Sequence, residues 1–83
     1  MYNVIFEKRA LESLNKLEKQ IKQRIWDKIQ ECKVNPFRFI RHLEEMPGFK
    51  LRVGDYRVII DVNNSTETLI ILKIGHRKNI YEN

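Results

Sequence analysis

The sequence is poor in the residues that cross-link chains or bind metals. A single cysteine among 83 residues excludes an internal disulfide and is typical of a reducing compartment. The two histidines, His42 and His76, form no metal-ligand spacing with that cysteine, so we expect no metal and no cofactor. No apolar run approaches the roughly 20 residues that cross a bilayer, and no signal-peptide pattern opens the chain. These absences predict a soluble, cytoplasmic protein without membrane contacts.

Positive charge is the clearest feature that the composition does have. Sixteen Lys and Arg residues against eleven Asp and Glu give a net charge of +5 and a pI near 9.6. Such a balance favours polyanionic partners, nucleic acid above all, although many small proteins are basic for solubility alone. If the chain is divided after Val34, both parts are positive, so total charge does not distinguish a nucleic-acid partner from simple solubility. The positions of the individual cations must decide between the two. At this length, residues 1–83 are predicted to form one domain.

Periodicity predicts a strand followed by helix in the first half of the chain. Tyr2 to Phe6 alternates as a strand, and from Glu7 to Val34 apolar residues recur every three or four positions. One helix of that length would extend roughly 42 Å, too long for a domain with a radius of gyration near 12 Å. We therefore expect a break near Leu17 to Lys19. The apolar stripe comprises Ala10, Leu11, Leu14, Leu17, Ile21, Ile25, Ile29 and Cys32.

The second half of the chain predicts three antiparallel strands. After a connector from Pro36 to Gly48, the segments Leu51–Val53 and Tyr56–Val62 flank Gly54 and Asp55, a pair that suits a type II′ hairpin turn. Thr68 to Ile74 is apolar on both faces, as expected for a central strand. The predicted fold is α+β: an N-terminal strand, a two-helix hairpin and a three-stranded antiparallel meander, with a twisted sheet packed on the helices.

The register of this hairpin predicts a cationic face. With Gly54 and Asp55 in the turn, Arg52 faces Arg57, and Lys50 lies on the same side of the sheet. Like charges placed opposite each other destabilise a sheet, so folding alone gives no reason to gather them. An anion would supply the reason, because guanidinium groups match phosphate oxygens; the alternative is a solvated face of long side chains.

A second cationic segment, GHRKNIY, ends the chain. Arg77 follows the last predicted strand, and His76 is either a general acid or base or a hydrogen-bonded residue at the strand end. Tyr81 either stacks on a nucleobase or packs back onto the sheet. Elsewhere, Trp26 lies off the apolar stripe and either packs at its edge or contacts a partner, while Cys32 is predicted to be a core thiol.

With the NPF motif that closes the helices, the segments HLEEMPGFKLRVGDYRVII and GHRKNIY resemble the RelE/ParE superfamily of toxins from type II toxin–antitoxin systems, most closely its RelE branch. The resemblance covers nearly the whole chain. It implies the RelE-like fold and a ribosome-dependent endoribonuclease that cuts mRNA in the ribosomal A site. It also implies a RelB-like antitoxin and a toxin–antitoxin hetero-oligomer, with the free toxin monomeric.

The resemblance implies a role for each matched residue. Arg57 stabilises the charge on the reacting phosphate, Arg77 stabilises charge or protonates the leaving group, Lys50 assists deprotonation of the 2′-OH, and Tyr81 orients the substrate. Where the best-known RelE form has lysines, this chain has Gly48 and His76, so His76 is a further catalytic candidate. Arg52 and Lys78 are predicted to bind RNA.

Two other functions remain open at this point. The same fold is also used by ParE-like inhibitors of DNA gyrase that cut no RNA, so fold cannot decide between them. A non-catalytic module that acts only with its antitoxin, for example in operator repression, is the third hypothesis.

Overall fold

The computed structural model describes residues 1–80, which form two α-helices, a short 3-10 turn and five strands. The elements in chain order are β1 (Asn3–Phe6), α1 (Lys8–Asn15), α2 (Lys19–Cys32), the 3-10 turn (Pro36–Arg38), β2 (Ile40–His42), β3 (Phe49–Val53), β4 (Tyr56–Asn63) and β5 (Thr68–His76).

All five strands belong to one mixed sheet with the order β1-β5-β4-β3-β2. β1 runs parallel to β5, and the other neighbours are antiparallel. The predicted α+β fold is confirmed, but the meander has four strands because β2 pairs with β3 inside what the sequence presents as a connector. Three residues are too few to show alternation, so tertiary pairing rather than local pattern defines β2.

The break between the helices lies at Lys16 to Glu18, where it was predicted. The backbone of Lys16 is still helical and its N–H donates to the carbonyl of Ser13, as that of Leu17 does to Leu14, whereas Glu18 is extended with ψ of 143°. The break lets both helices pack on one face of the sheet, and the radius of gyration is 11.8 Å. The chain therefore folds within the dimension expected from its length.

The core lies between the helices and that face of the sheet. It contains Ala10 and Leu14 of α1, Ile25, Ile29 and Cys32 of α2, and sheet residues that include Leu51, Val58, Ile60, Leu69 and Ile71. Most of the predicted stripe is buried, but Leu11 is 42% exposed because α1 is only two turns long and turns a single narrow face to the sheet. Trp26 is equally exposed and stacks on Phe6, with the ring centroids 5.8 Å apart. Trp26 therefore packs at the edge of the stripe, which is one of the two alternatives predicted for it.

A bulge in β5 changes which side chains point to the helices. Ile59 pairs with Lys73 and Ile60 with Ile71, so Leu72 is an extra residue without a partner on β4. Its carbonyl accepts a hydrogen bond of 3.0 Å from Nε of Arg9 in α1. Because of the bulge, the residues that face the helices change phase, and both Ile71 and Ile74 are buried although they are three positions apart.

Candidate nucleic-acid interface

The side of the sheet opposite the helices, here called the outer face, carries the predicted cations. Lys50 pairs with Ile59, and Arg52 pairs with Arg57, as the turn position predicts. Directly opposite residues have Cβ atoms about 4.5–5.5 Å apart, so the two arginines leave the sheet side by side. Lys50 and Arg57 are half-buried, and Arg52 is exposed. The structure therefore brings these three residues together.

Two further cations lie on the outer face and are not evident from the sequence. Arg41 of β2 pairs with Lys50, and Lys73 of β5 pairs with Ile59. Arg41 is hidden by the shortness of β2, and Lys73 faces outward only because of the bulge at Leu72. In the strands of residues 1–80, Asp61 is the one acidic residue on this face, against five cations. The face is therefore strongly electropositive.

The guanidinium group of Arg57 is held by the backbone of its own hairpin. Nη1 donates hydrogen bonds to the carbonyl oxygens of Gly54, at 2.8 Å, and Tyr56, at 2.9 Å. Nε and Nη2 donate no hydrogen bond within residues 1–80. A fixed guanidinium with donors unused is suited to receive an anion without a large loss of side-chain freedom.

The turn Gly54–Asp55, here called the hairpin tip, is surrounded by arginines. Gly54 has φ of 59° and Asp55 has no positive φ, which agrees with the predicted type II′ turn. The backbone N–H of Arg77 donates to the carbonyl of Asp55 at 2.8 Å, and Nε of Arg77 lies 3.8 Å from that residue's carboxylate. The second predicted segment is thus joined to the first at the hairpin tip, which places Arg77 near Arg57.

His76 builds the turn that carries Arg77. Its carbonyl accepts hydrogen bonds from the N–H groups of Asn79 and Ile80, and its Nδ1 accepts one from the N–H of Lys78 at 3.2 Å. Its ring packs edge-on against Tyr56, with centroids 5.4 Å apart, on the side of the sheet that faces the helices. The structure does not bring the imidazole onto the outer face with Arg57. Lys78 is exposed in the turn, and Tyr81 lies outside the described residues.

Ile80 docks this turn on the outer face by packing against Gly75. It is 2% exposed but lies outside the main core, as does Ile59, which is 7% exposed. A Cβ on Gly75 would lie 3.2 Å from Cδ1 of Ile80, so the absence of a side chain at position 75 makes the close approach possible. Gly75 pairs with Arg57, and the docked isoleucine therefore lies beside the arginine pair.

A pocket of about 390 Å³ opens beside Lys50. The loop between β2 and β3 supplies its other lining residues, Leu43, Glu44, Glu45 and Met46. Two carboxylates thus line the same opening as the lysine, and neither glutamate is singled out by the sequence pattern.

Cys32 is removed from these groups and is not a nucleophile of the site. It is fully buried in the core, and burial raises the pKa of its thiol to about 11. The predicted core thiol is confirmed. Among residues 1–80, no group of three or more His, Cys, Asp or Glu side chains has the proximity to hold a metal ion, and no helix has the length and apolar character to span a membrane.

Two helices on one side of a mixed sheet and five cations on the other define a small α+β domain with an electropositive face. A family model described as the ParE toxin of type II toxin–antitoxin systems matches residues 4–81. The chain belongs to the RelE/ParE superfamily of toxins from type II toxin–antitoxin systems, within which it is RelE-like. The resemblance seen in the sequence is confirmed.

Individual relatives match over almost their whole length. Toxin RelE3 of Methanocaldococcus jannaschii is 31% identical over 87 residues, covering 95% of this chain and 94% of the relative. The crystal structure of the toxin–antitoxin complex RelBE2 from Mycobacterium tuberculosis contains a chain with a TM-score of 0.83 and 29% identity, covering 92% of this chain and 98% of that one. The RelE–RelB complex from Pyrococcus horikoshii has a corresponding chain with a TM-score of 0.80 and 28% identity, covering 94% and 97%.

Proposed function

We propose that this toxin is an endoribonuclease that cuts mRNA in the ribosomal A site. The observation that carries the proposal is Arg57. It lies beside Arg52 in an electropositive sheet face, with Nη1 bonded to the hairpin tip and its other donors unused by residues 1–80. Folding alone does not explain this arrangement, whereas a phosphate group does.

The chemistry requires charge stabilisation and two proton transfers. The ribose 2′-oxygen bonds to the adjacent phosphorus and the bond to the 5′-oxygen breaks, leaving a 2′,3′-cyclic phosphate and a 5′-hydroxyl group. Arg57 stabilises the extra negative charge of the phosphorane, and Arg77, held at the hairpin tip, stabilises or protonates the leaving oxygen. Neither step uses a cofactor in this proposal.

Lys50 and its pocket supply the groups for deprotonation of the 2′-OH. An ammonium group that lines the same pocket as two carboxylates can lower the cost of forming the alkoxide while a carboxylate accepts the proton. Glu44→Gln and Glu45→Gln are expected to slow cleavage. Unchanged rates in the double variant would contradict this assignment.

His76 is proposed to position Arg77 rather than to transfer a proton. Its Nδ1 is engaged by the N–H of Lys78 and its ring faces the helices, both of which keep it from a phosphate on the outer face. Arg52 and Lys78, both exposed, are proposed to bind flanking RNA, and Tyr81 keeps its predicted role in orienting the substrate.

The direct test is cleavage by purified protein on translating ribosomes, followed by primer extension. Arg57→Ala is expected to reduce the rate about 10²–10³-fold, the usual cost of removing one donor to a developing oxyanion. Arg38→Ala is the matched control, because Arg38 lies in the 3-10 turn rather than on the outer face, with its guanidinium 5.7 Å from the centre of the Phe39 ring. Absence of new mRNA ends, or equal rates for both variants, would contradict the proposal.

A second target, DNA gyrase, has one specific observation in its favour: the family model that matches this chain is that of the ParE toxin. A gyrase supercoiling assay with the same protein separates the two targets. Inhibition of supercoiling without mRNA cleavage would replace the first proposal, and unaffected gyrase removes the second.

We also propose a RelB-like antitoxin partner, because the similar chains from M. tuberculosis and P. horikoshii were solved in complexes with their antitoxins. The antitoxin is expected to cover the outer face or displace the turn of residues 77–80. Modification of arginines by phenylglyoxal tests this, since protection of Arg57 and Arg77 should appear in the complex. Equal modification of free and bound toxin would contradict it.

A further inference from the structure

Arg24 of α2 reaches the hairpin tip from the helix side of the sheet. Its Nη1 and Nη2 each lie 3.3 Å, and its Cζ 3.6 Å, from the position that a Cβ on Gly54 would occupy. The guanidinium group therefore rests on the bare backbone of the turn, in space that any residue other than glycine would fill. Arg24 is exposed and forms no hydrogen bond or ion pair within residues 1–80.

Three guanidinium groups consequently meet at a turn of two residues. Arg57 donates to the carbonyl of Gly54 at 2.8 Å, Arg77 lies 3.8 Å from the carboxylate of Asp55, and Arg24 covers the open side of Gly54. Asp55 is the one acidic residue of the turn, and its pair with Arg77 is exposed and therefore weak. Mutual repulsion among these groups destabilises the fold slightly, so an external anion is the natural counterpart.

We propose that Arg24 forms a second phosphate-binding subsite, which holds an RNA phosphate next to the one bound by Arg57. This inference rests on the proposed function and deepens it. A single RNA strand carries one phosphate per nucleotide, so a strand that passes over the hairpin tip presents successive phosphates to its two sides. Arg57 is bonded to the carbonyl of Gly54 and Arg24 occupies the space where a Cβ of the same residue would lie, so the two guanidinium groups flank the tip.

A helical wheel gives no sign of this role. Arg24 lies next to buried Ile25 at the border of the polar face of α2. The helical pattern therefore predicts only a solvated cation at this position, like the others on that face. Arg24 lies at the hairpin tip because of the direction in which α2 runs. The C-terminal end of α2 lies near Tyr2, whose N–H donates a hydrogen bond to the carbonyl of Lys33. Lys33, the residue that follows α2, is thus a cation beside Tyr2 rather than at the hairpin tip.

Counterion release provides a test that does not depend on cleavage. Binding of the full-length protein to a short, fully 2′-O-methylated RNA strand, which lacks the attacking hydroxyl, is measured by fluorescence anisotropy over a range of salt concentrations. Each phosphate contact to a single strand contributes about 0.7 to the slope of log K against log salt. Arg24→Gln should lower the magnitude of the slope by about that amount, whereas Lys33→Gln should leave it nearly unchanged. Arg24→Lys should retain it, because a charge remains.

Equal slopes for Arg24→Gln and Lys33→Gln, or no binding by the parent protein, would overturn the inference. The inference would also be overturned if Arg24→Gln left the salt slope for RNA unchanged but weakened the binding of a polyglutamate peptide. The three arginines at the hairpin tip would then bind an acidic protein segment. The two proposals fail separately: a lower slope without mRNA cleavage by the parent protein refutes only the nuclease, and cleavage with an unchanged slope refutes only the role of Arg24.

Discussion

Replacing Ile80 by alanine should undock the turn that carries Arg77 without unfolding the domain. Ile80 is 2% exposed, yet it packs over Gly75 on the outer face rather than in the main core. The change removes three carbon groups from a buried position, which costs about 2.4 kcal/mol at 0.8 kcal/mol per group. That amount shifts the docking equilibrium of the turn about 50-fold toward the undocked state.

Hydrogen exchange measures this shift at individual amides. The N–H groups of Arg77, Asn79 and Ile80 donate hydrogen bonds that are lost on undocking, so their exchange should accelerate by up to about 50-fold in Ile80→Ala. Amides of β4 should change much less, because the sheet and the helices remain folded. Cleavage activity should fall as well, since Arg77 loses its placement at the hairpin tip.

Ile5→Ala is the matched control. Ile5 is 55% exposed on the outer face of β1 and should affect neither exchange nor activity. Exchange of the three turn amides at the parental rate in Ile80→Ala would show that Ile80 does not hold the turn. Equal acceleration of the β4 amides would contradict local undocking, because Ile80 would then belong to the global folding unit.

Three further predictions concern stability and reactivity. Leu14→Ala should lower the free energy of unfolding, measured by urea titration, by about 2–5 kcal/mol because Leu14 is buried. Leu11→Ala on the same helix should change it by less than about 0.5 kcal/mol because Leu11 is exposed, and equal effects of the two substitutions would contradict this placement of the core. Gly54→Ala should cost about 1–2 kcal/mol because φ there is 59° and the added Cβ meets Arg24, and an unchanged urea midpoint would refute this. Cys32 should resist thiol reagents at pH 8 until the protein unfolds, and reaction of the folded protein at that pH would contradict its raised pKa. The folded pKa of about 11 lies above the ordinary value of 9.0. The contribution of the thiol to stability is therefore complete below pH 9 and is lost as the pH rises toward 11.

Local rules were sufficient for much of this fold. A two-residue turn at Gly54 and Asp55 determines the register of its flanking strands, so the sequence alone predicts the pairing of Arg52 with Arg57. The helix break followed from the length of the stripe against the size of the domain. Neither inference needed knowledge of distant contacts.

The remaining features depend on pairing between distant parts of the chain. β2 and its Arg41 exist because β3 is available as a partner, and Lys73 faces outward because a bulge changes the phase of β5. Arg24 lies at the hairpin tip because of the direction in which α2 crosses the sheet. The orientation of His76 likewise follows from its pairing with Tyr56, which the sequence alone left open.

The bulge at Leu72 also bears on which alignment of β4 with β5 is favoured during folding. If β5 paired with β4 as a regular ladder from Leu69 onward, uninterrupted alternation would turn Lys73 toward the helices and leave Ile74 in water. A buried ammonium without a counterion makes that misregistered hairpin strongly unfavourable. The bulged register avoids this cost, and the carbonyl that it leaves unpaired in the β4–β5 ladder is bonded by Arg9. A lysine of the electropositive face therefore also disfavours the wrong alignment of the strands that build it.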